Sequence, residues 1–425
     1  MSHASPFTVA ASAPVAVSVS DYIRAHWDLS AREGSHPTRD NIEPLPVRHT
    51  VPCIDGHFEA MFYWDTYFTN LGLLLHDRVD LARGNCEAMF HLVEQKGFMP
   101  NSTFKGDDTR SQPPYLCAMV RDVFARTRDL AWLRRAVAVL EREHAFWQSR
   151  RLTPCELNRH YHHATDDYLL NFYRDALVGR LRFSPDAPEA DRLRVAAHYL
   201  GEAETGWDFN PRYSGRCGDF AQVELNCLLH GYETSLADFH LELGLPHASA
   251  WRQRAAARAR LIHAHLWDEE RGLFLDYDYT SSRRSAVASL GTFQPLFEGI
   301  ATPAQAARVH ANLPLFEREH GLAVCEERSR DRTFYQWGFP NGWPPLTYVA
   351  VQGLRRYGYE ADARRIADKF CAWVERDFAR TGQLWEKFDV LTGEIAGGEY
   401  AAQPMLGWTA GVYLAFRQGG SVLNH

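Results

Sequence analysis

The stretch Leu130-Ala-Trp-Leu-Arg-Arg-Ala-Val-Ala-Val-Leu-Glu-Arg-Glu-His-Ala-Phe-Trp147 sets Leu130, Leu133, Val137, Leu140, His144 and Trp147 three and four residues apart. Arg134, Arg135, Glu141 and Arg142 fall on the opposite side. A period near 3.6 turns one apolar stripe to a core and leaves the charges in water, so the segment reads as an amphipathic α-helix. The rhythm recurs at Ala363, Ile366, Phe370 and Trp373 and at Trp251, Ala255, Ile262 and Leu266. Similar patterns cover 62–76, 79–96, 113–127, 187–203, 219–244, 341–357 and 405–417. About a dozen helices make the fold class all-α. A small β element is expected only at Leu273–Tyr279, where apolar and acidic residues alternate without an obvious partner strand.

The connections 98–112, 153–170, 204–218, 323–345 and 384–404 are long and rich in Gly, Pro, Asp and aromatic residues. Long loops on a rigid scaffold usually carry function, so the site is expected there. No short repeat and no linker-like cluster divides the chain. Residues 1–20, rich in Ala, Ser and Val, read as a flexible tail, and 21–425 as one catalytic domain. The tail has no basic start and no long apolar run, so it does not read as a secretory signal.

Of the 425 residues, 45% are hydrophobic and 23% charged, which suits a globular chain with an ample core. The net charge of −7 supplies no basic stripe, so nucleic acid and anionic membrane are poor partners. No apolar run reaches the roughly 20 residues of a membrane span. The aromatic share of 13% raises the prior for a sugar ligand, since flat rings suit the C–H faces of sugars. A small neutral sugar is therefore the expected partner, with the chain a monomer or homodimer. The eight cysteines show no C-x-x-C spacing and lie in apolar contexts, which points to reduced thiols. With no signal segment, they make a cytoplasmic location the expectation.

Cutting a glycoside with inversion needs two carboxyls, one to protonate the leaving oxygen and one to activate water, about 6.5–9.5 Å apart. Two segments put acids beside rings and glycines: Glu204-Thr-Gly-Trp-Asp208-Phe-Asn, and Trp385-Glu386-Lys-Phe-Asp389 followed by Gly397-Gly-Glu399-Tyr400. An acid beside an indole is partly desolvated, which raises its pKa and suits Asp208 to the acid role. Gly206 and Gly397–Gly398 would let backbone approach a sugar closely. The residues alone do not choose among Asp208, Glu386, Asp389 and Glu399.

Two further segments, His57-Phe-Glu-Ala-Met-Phe-Tyr-Trp64-Asp65-Thr-Tyr67 and Gln336-Trp-Gly-Phe-Pro-Asn-Gly-Trp343-Pro-Pro, are similar to the first and second signatures of the trehalase family, which the chain resembles from Val51 to Val412. Between and after them, in family order, stand Gly97-Phe-Met-Pro-Asn101, Arg110-Ser-Gln112-Pro-Pro, Leu157-Asn-Arg159, the Asp208 segment, Glu224-Leu-Asn226, the Glu386 segment and Gly407-Trp408-Thr. The resemblance implies an (α/α)6 toroid that hydrolyses trehalose to α- and β-glucose with inversion, without cofactor or metal. It matches Asp208 to the general acid, Glu386 to the general base and Glu399 to a substrate-contacting carboxylate. It also implies a sugar pocket of Phe58, Trp64, Asp65, Asn101, Arg110, Gln112, Arg159, Gly206 and Gln336.

Three departures fall where the second sugar would be read. His57 stands where the family has arginine, Asn101-Ser-Thr-Phe104 replaces Asn-Gly-Asn-Arg, and His163-Ala-Thr-Asp166-Asp167 replaces Pro-Arg-Pro-Glu. They leave open a related hydrolase of another small α-glucoside or α-mannoside, such as a glucosyl- or mannosylglycerate. A non-catalytic sugar-binding protein is a further alternative, against which the retention of both Asp208 and Glu386 weighs. His160, His162, His163, Asp166 and Asp167 offer ligand types that zinc or manganese takes, against plainer readings as loop hydrogen bonds or as the lining of the outer pocket in place of the missing family motif.

Overall fold

The computed structural model describes residues 17–34, 40–54, 58–328, 335–396 and 402–418. Among them the helices are α1 (Val19–Ser30), α2 (Tyr63–Leu75), α3 (Val79–Lys96), α4 (Leu116–Thr127), α5 (Leu130–Arg150), α6 (Asp166–Phe172), α7 (Glu189–Glu204), α8 (Val223–Glu242), α9 (Ala248–Leu261), α10 (Gln294–Phe297), α11 (Pro303–Ala311), α12 (Pro344–Arg356), α13 (Glu360–Thr381) and α14 (Gly407–Arg417). The sequence decides their depth. Every residue of α2 from Tyr63 to Leu74, of α12 from Pro344 to Leu354 and of α14 from Gly407 to Phe416 is buried. A helix apolar or small all round has no face to give to water and goes inside.

These helices join α4, α8 and α10 in an inner ring: α2 packs on α4, α4 on α8, α8 on α10, α10 on α12, α12 on α14, and α14 returns to α2. The helices that alternate with them in the chain, α1, α3, α5, α9, α11 and α13, each keep a polar face. In α13 only the stripe through Ala363, Ile366, Phe370, Trp373 and Phe378 and its neighbours is buried. The result is an (α/α)6 toroid, to which α6 and α7 add an extra hairpin between α5 and α8.

The ring closes on two glycines. At the α2–α14 seam, a Cβ on Gly72 would stand 2.9 Å from the Cα of Gly411 and 2.9 Å from the Trp27 indole of α1. A Cβ on Gly411 would stand 1.8 Å from the Phe68 carbonyl oxygen. Outside the ring, chain punctuation is local: the Asp129 carboxylate accepts the Trp132 N–H at 3.0 Å to start α5, and Gly97 and Gly382, at φ 87° and 69°, stop α3 and α13.

Two expectations change. The stretch 1–20 was expected as a tail, but α1 begins at Val19, because Ser18 accepts the Asp21 N–H at 3.1 Å and Val19, Ile23 and Trp27 bury one face. The strand expected at Leu273–Tyr279 is two short strands. Leu273–Phe274 pairs antiparallel with Trp267–Asp268, and Tyr277–Asp278 lies between Phe220–Ala221 and Arg283–Arg284. The second partner lies more than 50 residues upstream, beyond any local pattern. The eight cysteines are unpaired and all but Cys155 are buried.

Because the seam leaves no room for a methyl group, Gly411→Ala is expected to cost at least about 3 kcal/mol, the upper range for overpacking. Urea unfolding checks this; a midpoint equal to that of the unaltered chain would mean the two helices do not depend on that approach.

Candidate active site

A cavity of about 390 Å³ opens where the loops lead into the inner helices. The start of α2 brings Trp64 and Asp65, and the segment before α4 brings Asn101, Arg110 and Gln112. The segment between α7 and α8 brings Gly206 and Asp208. Gln336, Trp337 and Trp343 come from the approach to α12, and Glu386, Met405 and Trp408 from the approach to and start of α14. Loops from five of the six inner helices thus meet at one end of the ring.

Indoles build much of the wall. Trp337 stacks on Trp343 at 3.7 Å and 7°, and Trp408 stands edge-on to Trp343 and Trp64 at 5.6 and 5.9 Å. The Trp343 and Trp408 N–H groups donate to the carbonyls of Gln336 and Glu386, both at 3.2 Å, so the rings are fixed by backbone. Gly206, at φ 73°, permits the turn after α7, and a Cβ there would come 2.8 Å from the Trp64 ring.

Asp208 is held by its neighbours rather than by a partner of its own. Glu204, fully buried, accepts the Ser111 N–H at 2.8 Å, the Tyr161 N–H at 3.1 Å, and Arg151 Nε and Nη2 at 2.9 and 2.7 Å, with His160 Nδ1 at 3.3 Å. On the far side the Arg212 guanidinium lies 4.2 Å over the Trp207 ring while binding Glu224 and Asp276. Between these clamps, burial pushes the Asp208 carboxyl above its usual range, against smaller opposing pulls from Arg180, Arg110 and Lys387.

Glu386 is 1% exposed and differs in its surroundings. The Lys387 ammonium stands 3.7 Å from its Oε2 and donates to Gln336 Oε1 at 2.7 Å, and the Gln403 N–H reaches Oε2 at 3.5 Å. Asp65, 6% exposed, is pushed up to about 8 by burial, with the negative charges of Glu386 and Asp208 adding to the rise. It is therefore neutral at pH 7 and can both donate and accept. Gln112 Oε1 accepts the Trp64 N–H at 3.2 Å, so both Gln112 and Gln336 have their amide orientation fixed, nitrogen end left for a ligand.

Of the residues expected at the site, Phe58, Trp64, Asp65, Asn101, Arg110, Gln112, Gly206, Asp208, Gln336 and Glu386 line this one cavity. Arg159 does not: its Nη1 donates to the Gly218 carbonyl at 2.6 Å and its guanidinium lies 4.3 Å over Tyr161, because buried acceptors nearer than the cavity claim it. Glu399, Gly397, Gly398 and His57 lie outside the described residues. Asp389 accepts the Leu391 and Thr392 N–H groups at 2.7 and 3.1 Å and is a turn acid. The histidines make loop contacts: His163 Nε2 lies 2.8 Å from the Asp108 carbonyl, and His162 Nδ1 accepts the Ala164 N–H at 3.1 Å. Among the described residues no group of three His, Cys, Asp or Glu side chains is arranged to hold a metal ion.

Phe62, Asp107, Arg180, Ala203, Trp337 and Met405 also line the cavity. Phe62 and Trp337 sit inside the quoted signatures, and Asp107 in the long loop 98–112, so those segments pointed to them. Nothing in the sequence around Arg180 does so; it reaches the site through the added α6–α7 hairpin.

An (α/α)6 toroid with buried carboxyls and an indole-lined pocket among its loops defines the molecule as a glycoside hydrolase. Residues 3–418 match the trehalase family, and the chain belongs to it. The periplasmic trehalase of Pseudomonas aeruginosa is 34% identical over 400 residues, covering 89% of this chain and 72% of that protein. Neutral trehalase Nth1 from Saccharomyces cerevisiae superimposes with a TM-score of 0.75 at 28% identity, over 96% of this chain and 80% of that one. A mannosylglycerate hydrolase from Thermus thermophilus shares the fold, with a TM-score of 0.64 at 19% identity over 87% and 96% of the two chains.

The expected cytoplasmic location is overturned by these relatives. Several, at 29–34% identity over most of the chain, are named periplasmic trehalases and point to the periplasm. The inference failed because buried thiols stay unpaired by geometry whatever the compartment. No helix among the described residues is long and apolar enough to cross a membrane.

Asp65 gives a pH test. In the unfolded chain its proton is lost near 4, and in the folded one not until about 8, so its contribution to stability is complete at low pH and lost as pH rises across that interval. The stability difference between the native chain and Asp65→Asn should therefore shift in favour of the variant between pH 4 and 8, followed by urea unfolding at each pH. A difference independent of pH would show that Asp65 ionises normally.

Proposed function

We propose that the cavity hydrolyses α,α-trehalose with inversion. Asp208 would donate its proton to the oxygen linking the two glucose units, while Glu386 takes a proton from a water that attacks the opposite face of the anomeric carbon. The carbon–oxygen bond breaks as the new one forms, the attacked unit leaves as β-glucose and the other as α-glucose. Asp208 ends ionised and Glu386 protonated, and solvent exchange resets both.

The observation that carries this is the difference between two carboxyls in one cavity. Asp208 is raised by burial and has no direct counter-ion among the described residues, which favours the protonated acid. Glu386 has an ammonium 3.7 Å away, which suits a charged base. The loops that bring them lead into α8 and α14, three places apart in a ring of six, which supports an approach from opposite sides. Asp65, Asn101, Gln112 and Gln336 would read hydroxyls of the attacked sugar, with Trp64 and Trp408 against its apolar faces. The name borne by the relatives, trehalase, gives the substrate.

Asp208→Asn and Glu386→Gln should each lower kcat for glucose release from trehalose by about a thousandfold or more while the helical circular dichroism is retained; Asp208→Asn should leave the unfolding midpoint nearly unchanged, whereas Glu386→Gln, which strands the buried Lys387 ammonium, should lower it. Retained turnover in either variant would remove that residue from the reaction. A native enzyme that cleaves another small α-glucoside or α-mannoside and leaves trehalose intact would keep the carboxyls and change the leaving group.

A further inference from the structure

Resting on that reading, we propose that Arg180 binds the leaving sugar, supplying from the added hairpin a donor fork at the mouth of the cavity. Its guanidinium lines the cavity, is exposed, and forms no hydrogen bond or ion pair among the described residues. The other guanidinium there, that of Arg110, is largely committed, with Nη2 to Asp107 at 3.1 Å and Nη1 to the Tyr168 hydroxyl at 3.4 Å. Arg110 keeps only its Nε without a partner, whereas the whole Arg180 guanidinium is left for a ligand.

The fold holds it there. Residues Tyr173–Val178 form a π-helical turn whose wider winding re-aims the chain beyond it, and Gly179 and Arg180 come directly after the turn. Leu177 and Leu181, on either side of Arg180, are buried in a separate apolar cluster with Phe209, the residue after Asp208. Tyr168, on the same hairpin, is the hydroxyl that Arg110 reaches. The hairpin and the acid loop therefore pack against each other, which sets Arg180 on the side of Asp208.

That side belongs to the leaving group. Glu386, Asp65 and Gln336 form the floor at 1%, 6% and 3% exposure, whereas Asp208 and Arg110 are partly exposed and Arg180 is open to solvent. The sugar attacked at the floor places its partner beyond the acid, toward the mouth. Arg180 is also foremost among the positive charges that act on Asp208, consistent with that placement. A guanidinium offers two parallel N–H donors to vicinal hydroxyls, a pattern lysine cannot reproduce.

The test compares trehalose with α-glucosyl fluoride, which is cleaved at the same carbon but whose leaving group is a fluoride ion with no hydroxyls to bind. For Arg180→Ala, kcat/KM on trehalose should fall about 10- to 100-fold, the loss expected for charge-assisted hydrogen bonds, while kcat/KM on the fluoride stays within about threefold. Arg180→Lys should recover part of the loss. Unchanged trehalose kinetics would overturn the role, and so would an equal fall on both substrates, which would mean that Arg180 acts on folding or on the attacked sugar; a trehalose loss accompanied by a shifted basic limb of the kcat/KM pH profile would overturn it too, since Arg180 would then act through the proton of Asp208. A native enzyme that hydrolyses the fluoride but not trehalose would instead overturn the trehalose reading, and this role with it.

Discussion

Glu204 and Arg151 form an ion pair sealed from solvent, and four separate pieces of chain depend on it. Arg151 ends α5, Ser111 stands between the cavity residues Arg110 and Gln112, His160 and Tyr161 belong to the loop after α5, and Glu204 itself closes α7, four residues before Asp208. The arginine and the hydrogen bonds hold the Glu204 carboxyl well below the usual range despite its burial, so it stays charged. Removing one partner of such a pair leaves an unpaired charge in the interior and costs about 3–5 kcal/mol. The pair ties together segments that line or border the cavity.

A second buried arginine works from the other side. Arg212 binds Glu224 at the start of α8 and Asp276 in the small sheet, and covers Trp207. Both clamps satisfy their own charges, so the Asp208 loop is rigid while Asp208 itself has no close counter-ion. Desolvation then outweighs the more distant positive charges, and the Asp208 carboxyl is pushed above its usual range, in the direction an acid role needs. Glu386 differs in having the Lys387 ammonium 3.7 Å from its Oε2, so the two carboxyls of one cavity stand in unlike surroundings.

The ring was legible because the inner helices α2, α12 and α14 are mostly apolar or small on every side while outer ones are striped, and both patterns are local. Ten helices fall where periodicity put them. The elements missed are short, as α10 and α11 are, or sit where composition misleads, as α1 does in an Ala- and Ser-rich start. The carboxyls were legible as two acidic, aromatic segments, and the residues alone left four acids open. Geometry separates Asp389, spent on a turn, from Asp208 and Glu386. Arg159 and Arg180 exchange places for a similar reason. Which buried carbonyl captures a guanidinium, and which hairpin carries one into the cavity, depend on residues far along the chain, such as Gly218 for Arg159 and Phe209 for the Arg180 hairpin.

Stereochemistry tests the acid–base pair most directly. Proton NMR of the sugars first released from trehalose, recorded before mutarotation, should show α- and β-glucose in equal amounts, since one carbon inverts and the other is untouched. Release of α-glucose alone would mean retention through a covalent glycosyl-enzyme, and would contradict the roles of Asp208 as acid and Glu386 as base.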